Sequence, residues 1–528
     1  MTRVVDTVEV DAEGLAAYLR PRDDLVTERA AGEGTFDLEH GPFDRYSRTV
    51  VVAPGPGERS TVTQTIDFHL AIPVWGVLFR GVVKRALRRP PSHPADGPGT
   101  PPWWSPPDRF DARAARVLSL TCVLSYFAGY LGTLMTQTNT FFKDEFGASN
   151  ADISWVLTSV RVGAFLALFV TALGDRKGRR TVLVFAAVVG SVLTVVGGLA
   201  PGLIVLAVSQ AFARAFSQTT DTLARVYAAE EVPASSRAFA VSVLAMTGAL
   251  GAGNAVIALS LADLGPQAWR ILFFIPILFV WPVLRIRRSL PESQRFLVHE
   301  AHEAQGDDFE HTAPPELRHE ERRVHLRRFA ILGATAFLLA MFFAPQSNYM
   351  NEYLRDEQGF SAGGLVLFQI LTNLPGGIGI VIGGKLADQR GRRMVATVAL
   401  IVGVSANLMI FFGTGWTIWA VSTVSALVGA AVVPALGVYG PELFPTSSRS
   451  LANGGLTLAG VAGAVTGLVA VGALADRWGE FGPPLALTAV GPLIVVFLIL
   501  TVYPETAHTT LEELNPEDDL PPIPAGEF

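Results

Sequence analysis

From residue 113 to residue 503 apolar residues run in long stretches broken by short polar loops. Twelve stretches of about 20 residues follow one another, each the length a helix needs to cross roughly 30 Å of hydrocarbon. A helix satisfies its own backbone hydrogen bonds, so the pattern predicts spanning helices. The second, fourth and sixth stretches lie near 153–174, 203–225 and 268–286. The first 89 residues are patterned differently. Residues 47–53 and 60–72 are rich in Thr, Val and Ile and read as strands, and the Pro- and Gly-rich 54–58 between them makes a hairpin. Residues 74–89 read as an amphipathic helix with a basic end, too short and too charged to span a bilayer.

The predicted organisation follows from these changes of pattern. A soluble α+β module covers 1–89 and a proline-rich linker 90–112. A six-helix bundle over 113–286, a charged central loop over 287–328, a second six-helix bundle over 329–503 and a tail over 504–528 complete the chain. Composition agrees: 50% of the 528 residues are hydrophobic and only 17% charged, against about 25% charged in soluble proteins. The net charge of −6 gives no sign of nucleic-acid binding. A single cysteine, Cys122, allows no intramolecular disulfide. The acidic start offers no apolar core for a secretory signal.

Lys and Arg set the expected orientation. With the N-terminus taken as cytoplasmic, the inner loops hold 18 cations and the outer loops four, Lys143, Arg270, Arg355 and Arg477. Both termini are therefore expected on the cytoplasmic side of the plasma membrane.

The two halves repeat. Gly-Asp-Arg-Lys-Gly-Arg-Arg at 174–180 returns as Ala-Asp-Gln-Arg-Gly-Arg-Arg at 387–393. Glu-x-x-Pro-x-x-x-Arg occurs at 230–237 and again at 442–449. Both pairs are offset by 212 or 213 residues, which identifies a duplicated six-helix unit. These motifs resemble those of the major facilitator superfamily, in its sugar-porter and metabolite–proton symporter branch. Leu-Pro-Glu-Ser-Gln-Arg-Phe-Leu at 290–297, and Pro-Glu-Thr at 504–506 with Thr-Leu-Glu-Glu-Leu at 510–514, are similar to further tags of that branch. The resemblance covers about 113–515 and implies a fold of two pseudo-symmetric bundles. It also implies a gating role for Asp175, Gly178, Arg179, Arg180, Glu230 and Arg237 and for Asp388, Gly391, Arg392, Arg393, Glu442 and Arg449. Bridges among them would hold the cytoplasmic side closed; the plainer alternative is topology-setting charge with turn chemistry. The 1–89 module resembles helix-grip lipid-binding domains.

Charged residues inside spans are costly and mark sites. Arg161 lies in the second stretch, and Arg214, Gln218, Asp221 and Arg225 share one face of the fourth at i, i+4, i+7 and i+11. Arg225, near the inner interface, reads as topological or gating, and Asp221 as a proton carrier or a neutralising partner. Gln137, Asn254, Gln346, Asn348, Gln369 and Asn373 are neutral candidates, each equally readable as helix–helix glue. All nine histidines lie outside the stretches, and the first stretch has no carboxylate. The glutamine positions of sugar porters fall near Ala245, Met246, Leu339 and Ala340.

Two cations and one acid at similar depth favour an anionic substrate. The expectation is a secondary transporter of a small organic anion, with protons as coupling ion and alternating access as its cycle. Sugar or polyol transport, efflux, and a transporter-derived sensor using the N-terminal module are the alternatives. No enzyme motif, cofactor or metal site is read from the chain. Expected partners are the small-molecule substrate and the lipid bilayer, without nucleic acid, for a monomer.

Overall fold

The computed structural model describes residues 1–55, 59–91, 102, 104–148, 150–305, 315–480 and 482–518. The chain divides into two compact units: Met1–Val123 with Glu231–Ser236, and Leu124–Glu230 with Arg237–Phe528.

The first unit opens with strand β1 (Thr2–Val10), helix α1 (Ala12–Tyr18) and strands β2 (Thr27–Gly32), β3 (Thr35–His40), β4 (Phe43–Pro54) and β5 (Ser60–Leu70). They form one antiparallel sheet in the order β1-β5-β4-β3-β2. The expected hairpin is β4 with β5, in register from Tyr46 opposite Phe68 to Pro54 opposite Ser60. Alternate residues of β5, from Val62 to Phe68, are buried, the period-2 signature of a sheet with one covered face. Helix α2 (Gly76–Leu87) lies over that face and buries Val83 and Leu87 against Val4, Phe43, Ile66 and Phe68.

A charged cluster is sealed inside this module. The Glu28 carboxylate accepts from Arg48 Nη2 at 2.7 Å, from Tyr46 Oη at 2.6 Å and from the Arg22 backbone N–H at 2.9 Å. Burial, and after it the Glu28 charge, pushes the Tyr46 hydroxyl well above its ordinary value. Arg22 caps the end of α2, donating to the Leu87 and Arg89 carbonyls. Helix α3 (Ala112–Gln137) begins in this unit. Its Arg113 pairs with Glu231 at 2.6 Å, and its Arg116 with Asp44 at 2.6 Å.

The second unit is helical. After α3 come α4 (Asn139–Phe146), α5 (Asn150–Lys177), α6 (Arg179–Gly198), α7 (Leu203–Glu231), α8 (Arg237–Ala258), α9 (Arg270–Phe274) and α10 (Ile277–Ser289). Helix α11 (Gln294–Gln305) follows, and α12 (Pro315–Glu352) opens the second half. Then come α13 (Ala362–Arg390), α14 (Arg392–Phe412), α15 (Trp416–Gly429), α16 (Val432–Gly437), α17 (Tyr439–Glu442), α18 (Arg449–Trp478), α19 (Gly482–Thr488), α20 (Val490–Thr501) and α21 (Leu511–Leu514). One apolar core, around Leu134, Phe142, Trp269 and Phe273, belongs to the first half. Another, around Phe342, Leu400, Tyr439 and Ile499, is built mainly from the second.

Among the described residues, nine segments are long and apolar enough to cross a membrane. Helix α7 is not one of them, although its 29 residues suffice in length; it carries the polar stripe Arg214, Gln218, Asp221 and Arg225. The sixth expected span is two helices, parted at Ile275 and Pro276 into pieces of 5 and 13 residues.

Candidate functional site

The two repeated motifs meet at one end of the second unit, and each carboxylate of one half is answered from the other. Glu230, at the end of α7, accepts from Arg179 Nη2 of its own half at 3.2 Å and from Arg449 Nη1 of the second half at 2.8 Å. Glu442 repeats this with Arg392 of its own half and with Arg237 Nη1 of the first half at 3.2 Å. The expected Glu–Arg bridges are present, but the arginine of each Glu-x-x-Pro-x-x-x-Arg motif is exchanged between halves. All of these side chains are 3% exposed or less.

The aspartates also reach across. Asp175 accepts from the backbone N–H groups of Ser450 and Leu451 at 3.1 and 2.9 Å, at the start of α18. Asp388 accepts from Ala238 and Phe239 at 3.1 and 2.8 Å, at the start of α8. The first N–H groups of a helix lack intrahelical partners and carry a partial positive charge, so a carboxylate from the opposite half satisfies both.

The Pro-Glu-Ser and Pro-Glu-Thr tags take the corresponding place within each half, a role sequence reasoning left open. Glu292 accepts from the Arg180 N–H at 2.9 Å, and Glu505 from the Arg392 and Arg393 N–H groups at 2.9 and 3.2 Å. Ser293 Oγ donates to Glu230 at 2.5 Å, and Thr506 accepts from Arg392 at 2.6 Å. Gly178 (φ 88°) and Gly391 (φ 95°) sit between them. A Cβ there would stand 2.6 Å from Glu292 Oε2 or 2.8 Å from Glu505 Oε2, so it would push those carboxylates aside, and the positive φ itself suits glycine. Asp518, in the tail, adds a bond to Arg449 at 2.9 Å.

Directly behind this cluster lies a cavity of about 350 Å³ between the halves. Its charged lining residues are Asp221 and Arg225 of α7, paired at 2.9 Å. Leu332, Leu339, Leu436 and Leu456 supply apolar wall, and Gln218, Asn453, Thr457, Thr335 and Tyr503 polar groups. Tyr503 Oη donates to Thr335 at 2.8 Å. The arrangement sets one guanidinium beside one carboxylate in a cavity of mixed polar and apolar wall.

Of the residues singled out by sequence, the structure brings Gln218 and Asp221 to this cavity. Arg225 joins them there. Arg214 instead donates from Nη1 to the Gly132 carbonyl of α3 at 2.7 Å, clasping the two helices. The Arg161 side chain lies outside the described residues. Asn254 is exposed on α8 and bonded to Tyr126. Asn348 and Asn373 are exposed and donate to their own helix, at Ala344 and Gln369. Gln369 is exposed and Gln137 half-buried. Gln346 is buried with neither amide atom hydrogen-bonded, beside Pro345 inside α12. Asn453 and Thr457, one turn apart on α18, gave no sequence signal beyond their polarity, and Tyr503 gave none.

A duplicated helical unit with a cavity between its halves and a two-fold set of ion pairs closing one end is the build of an alternating-access membrane transporter. The family model described as Major Facilitator Superfamily matches residues 118–372 and 333–525, and the chain belongs to that family. It is a secondary transporter, not an enzyme. Similar proteins include the cis,cis-muconate transport protein of Acinetobacter baylyi, 23% identical over 65% of this chain and 83% of that protein. The niacin transporter NiaP of the same organism is 26% identical over 73% of this chain and 92% of that protein. Among solved structures, the proton:xylose symporter XylE aligns with a TM-score of 0.62 at 16% identity, over 76% of this chain and 98% of that one. The human organic anion transporter MFSD10 aligns at 0.56 and 16%, over 73% and 99%. At such identities the structural likeness establishes the fold.

Proposed function

We propose that this transporter carries a small organic anion together with a proton across the plasma membrane. The carrying observation is the Asp221–Arg225 pair inside an otherwise neutral, leucine-walled cavity. A substrate carboxylate entering there competes for the Arg225 guanidinium. Its arrival leaves the Asp221 carboxylate without its cation, and a proton taken up with the substrate restores the balance of charge. For a monocarboxylate such as niacin the site then holds one substrate charge, one arginine charge and one proton on Asp221, and rocks as a neutral assembly. The names of the relatives agree: muconate, niacin and sulfoacetate each bear a carboxylate.

In this reading the chain has twelve spans, with α5, α7 and the α9–α10 pair completing the nine. The ion-pair end and both termini face the cytoplasm, because the short loops there carry the Lys and Arg excess. The bridges form the inner gate, closed here. Neutral Asn453, Thr457 and Tyr503 also offer hydroxyl-binding partners, which favours a sugar as the second reading.

The test is uptake into proteoliposomes of labelled niacin, muconate and xylose, with and without an inward proton gradient. Gradient-stimulated carboxylate uptake that vanishes in Arg225→Gln supports the proposal. Asp221→Asn is expected to keep counterflow exchange while losing the response to the gradient. Xylose uptake indifferent to Arg225→Gln would overturn the anion reading.

A further inference from the structure

Helix α2 has two faces. One packs on the sheet through Val83 and Leu87. The opposite face is bare: Val74, just before the helix, Val77 and Leu78 are 66%, 72% and 69% exposed, and Val82 is 40% exposed. The apolar residues of this face cluster in its N-terminal half. The C-terminal half and its end carry Lys84, Arg85, Arg88 and Arg89, and with Arg80 the segment has five cations and no acid.

What this face meets is fixed by how the helix is held. Trp75 Nε1 donates to the carbonyl of Ser119 at 3.0 Å, and Ser119 Oγ donates to the carbonyl of Pro73. Ser119 belongs to α3, the first membrane span. It lies seven residues, roughly 10 Å, along that helix, and three residues beyond Arg116, the last charge before an uncharged run to Gln137. Ser119 therefore falls at the charged-to-apolar boundary of that span, where hydrocarbon is expected to begin. Tryptophan concentrates at this depth, with its ring in the apolar zone and its N–H satisfied. Val74, between the two anchoring bonds, holds φ at +69°, a conformation β-branched residues avoid. The turn keeps this strained geometry where its neighbours bind it to the span, fixing the apolar end of α2 at the membrane boundary.

We propose that α2 lies in the membrane interface, with Val74, Val77, Leu78 and Val82 beneath the headgroups of the adjoining leaflet. Lys84, Arg85, Arg88 and Arg89 bind anionic lipid phosphates at the shallower end. An apolar face passing into a basic face along one short helix is the composition of an in-plane membrane anchor. Juxtamembrane cations draw anionic headgroups. The N-terminal module is thereby a lipid-contacting part of the chain.

The experiment uses the full chain in nanodiscs of phosphatidylglycerol and phosphatidylcholine, in a Cys122→Ser background. Nitroxide labels are placed at Leu78→Cys and, as an aqueous control, at Glu33→Cys in the exposed β2–β3 turn. Relaxation by oxygen and by a water-soluble nickel chelate reads immersion. The label at 78 is expected to favour oxygen over nickel by at least about threefold relative to that at 33. Equal nickel access at the two positions overturns the proposal. So does shielding of position 78 from both reagents, which would mean that protein, a second copy included, covers the face. In a second arm, spin-labelled phosphatidylglycerol and phosphatidylcholine are compared on wild type and on K84Q/R85Q/R88Q/R89Q. The preference for the anionic lipid is expected to fall about threefold or more in the variant. An unchanged preference overturns the headgroup assignment, and neither arm depends on transport.

Discussion

Glu230→Gln isolates the exchanged bridge. The carboxylate is fully buried and takes Arg449 from the other half at 2.8 Å and Arg179 from its own at 3.2 Å. At an effective dielectric near 20 and about 4 Å between charge centres, one such pair is worth about 4 kcal/mol. Glutamine keeps a neutral acceptor, which returns about 1 kcal/mol. If, as proposed, the bridges form the inner gate, its closed state should therefore lose about 3 kcal/mol, shifting the equilibrium toward opening on the order of 100-fold. The assay is maleimide labelling of Thr457→Cys, in the cavity wall behind the gate, in a Cys122→Ser background, from the cytoplasmic face. The labelling rate should rise by about two orders of magnitude. The pairing itself is tested by double-mutant cycles. Glu230 with Arg449, and Glu442 with Arg237, should couple by roughly 1–3 kcal/mol, and Glu230 with Arg237 by less than about 0.5 kcal/mol. An unchanged labelling rate in a folded Glu230→Gln protein, or stronger coupling of Glu230 to Arg237 than to Arg449, would refute the reasoning.

Other outcomes follow from particular contacts. Gly178→Ala and Gly391→Ala should each cost about 1–3 kcal/mol in thermal melts, whereas Gly253→Ala, with nothing within 4 Å of its Cβ position, should be near neutral. Glu28→Ala leaves the buried Arg48 uncompensated and should destabilise the N-terminal module by about 3–5 kcal/mol, read by denaturant unfolding with a fluorophore at Val51→Cys. Tyr46 resists ionisation in the folded module but ionises near its ordinary value, about 10, once unfolded. Its contribution is therefore present below about pH 10 and lost as pH rises further. Tyr46→Phe should be less stable than wild type at pH 8, by roughly 1–2 kcal/mol for the lost bond to Glu28, with the gap narrowing above pH 10.

The architecture was legible because a bilayer leaves little freedom. Twenty apolar residues in a row have few alternatives to a helix, and a motif returning at one offset reveals a duplication. The β4–β5 hairpin was legible for a similar reason, since Thr- and Val-rich runs flanking Pro-Gly turns seldom do anything else. Contacts between distant segments were not legible. That Arg237 serves Glu442 rather than Glu230 depends on how two bundles meet, and both pairings fit the sequence equally well. Arg214 and Arg225 share a helix face, yet one clasps α3 through Gly132 and the other enters the cavity. Side-chain periodicity gives the face, but the neighbour's backbone decides what the guanidinium finds. The glycines of the signatures were legible as turns. Their second constraint, the closeness of Glu292 and Glu505, came from tags more than 110 residues away.

The proposed cycle gains support from how the cavity and the bridges share elements. Helix α7 carries Asp221 and Arg225 in the cavity and Glu230 in the ion-pair cluster, five residues or roughly 7.5 Å beyond Arg225. Helix α18 carries Arg449 in the cluster and Asn453 and Thr457 in the cavity, on successive turns. Gly440 and Pro441 line the cavity immediately before Glu442. The floor of the cavity is thus the back of the ion-pair cluster, and no long pathway is needed to join the proposed site and the proposed gate. A carboxylate that draws Arg225 away from Asp221 acts on the helix that presents Glu230 to Arg449. Opening then costs two exchanged bridges and two helix caps, a set too large for thermal motion alone to break often. In the proposed cycle substrate and proton together replace the Asp221–Arg225 pair without changing the net charge of the cavity, so coupling should be lost in Asp221→Asn, while leak should appear in Glu230→Gln, which weakens an exchanged bridge. A variant carrying both changes should leak without coupling, and gradient-driven accumulation by it would show that the proton is carried elsewhere.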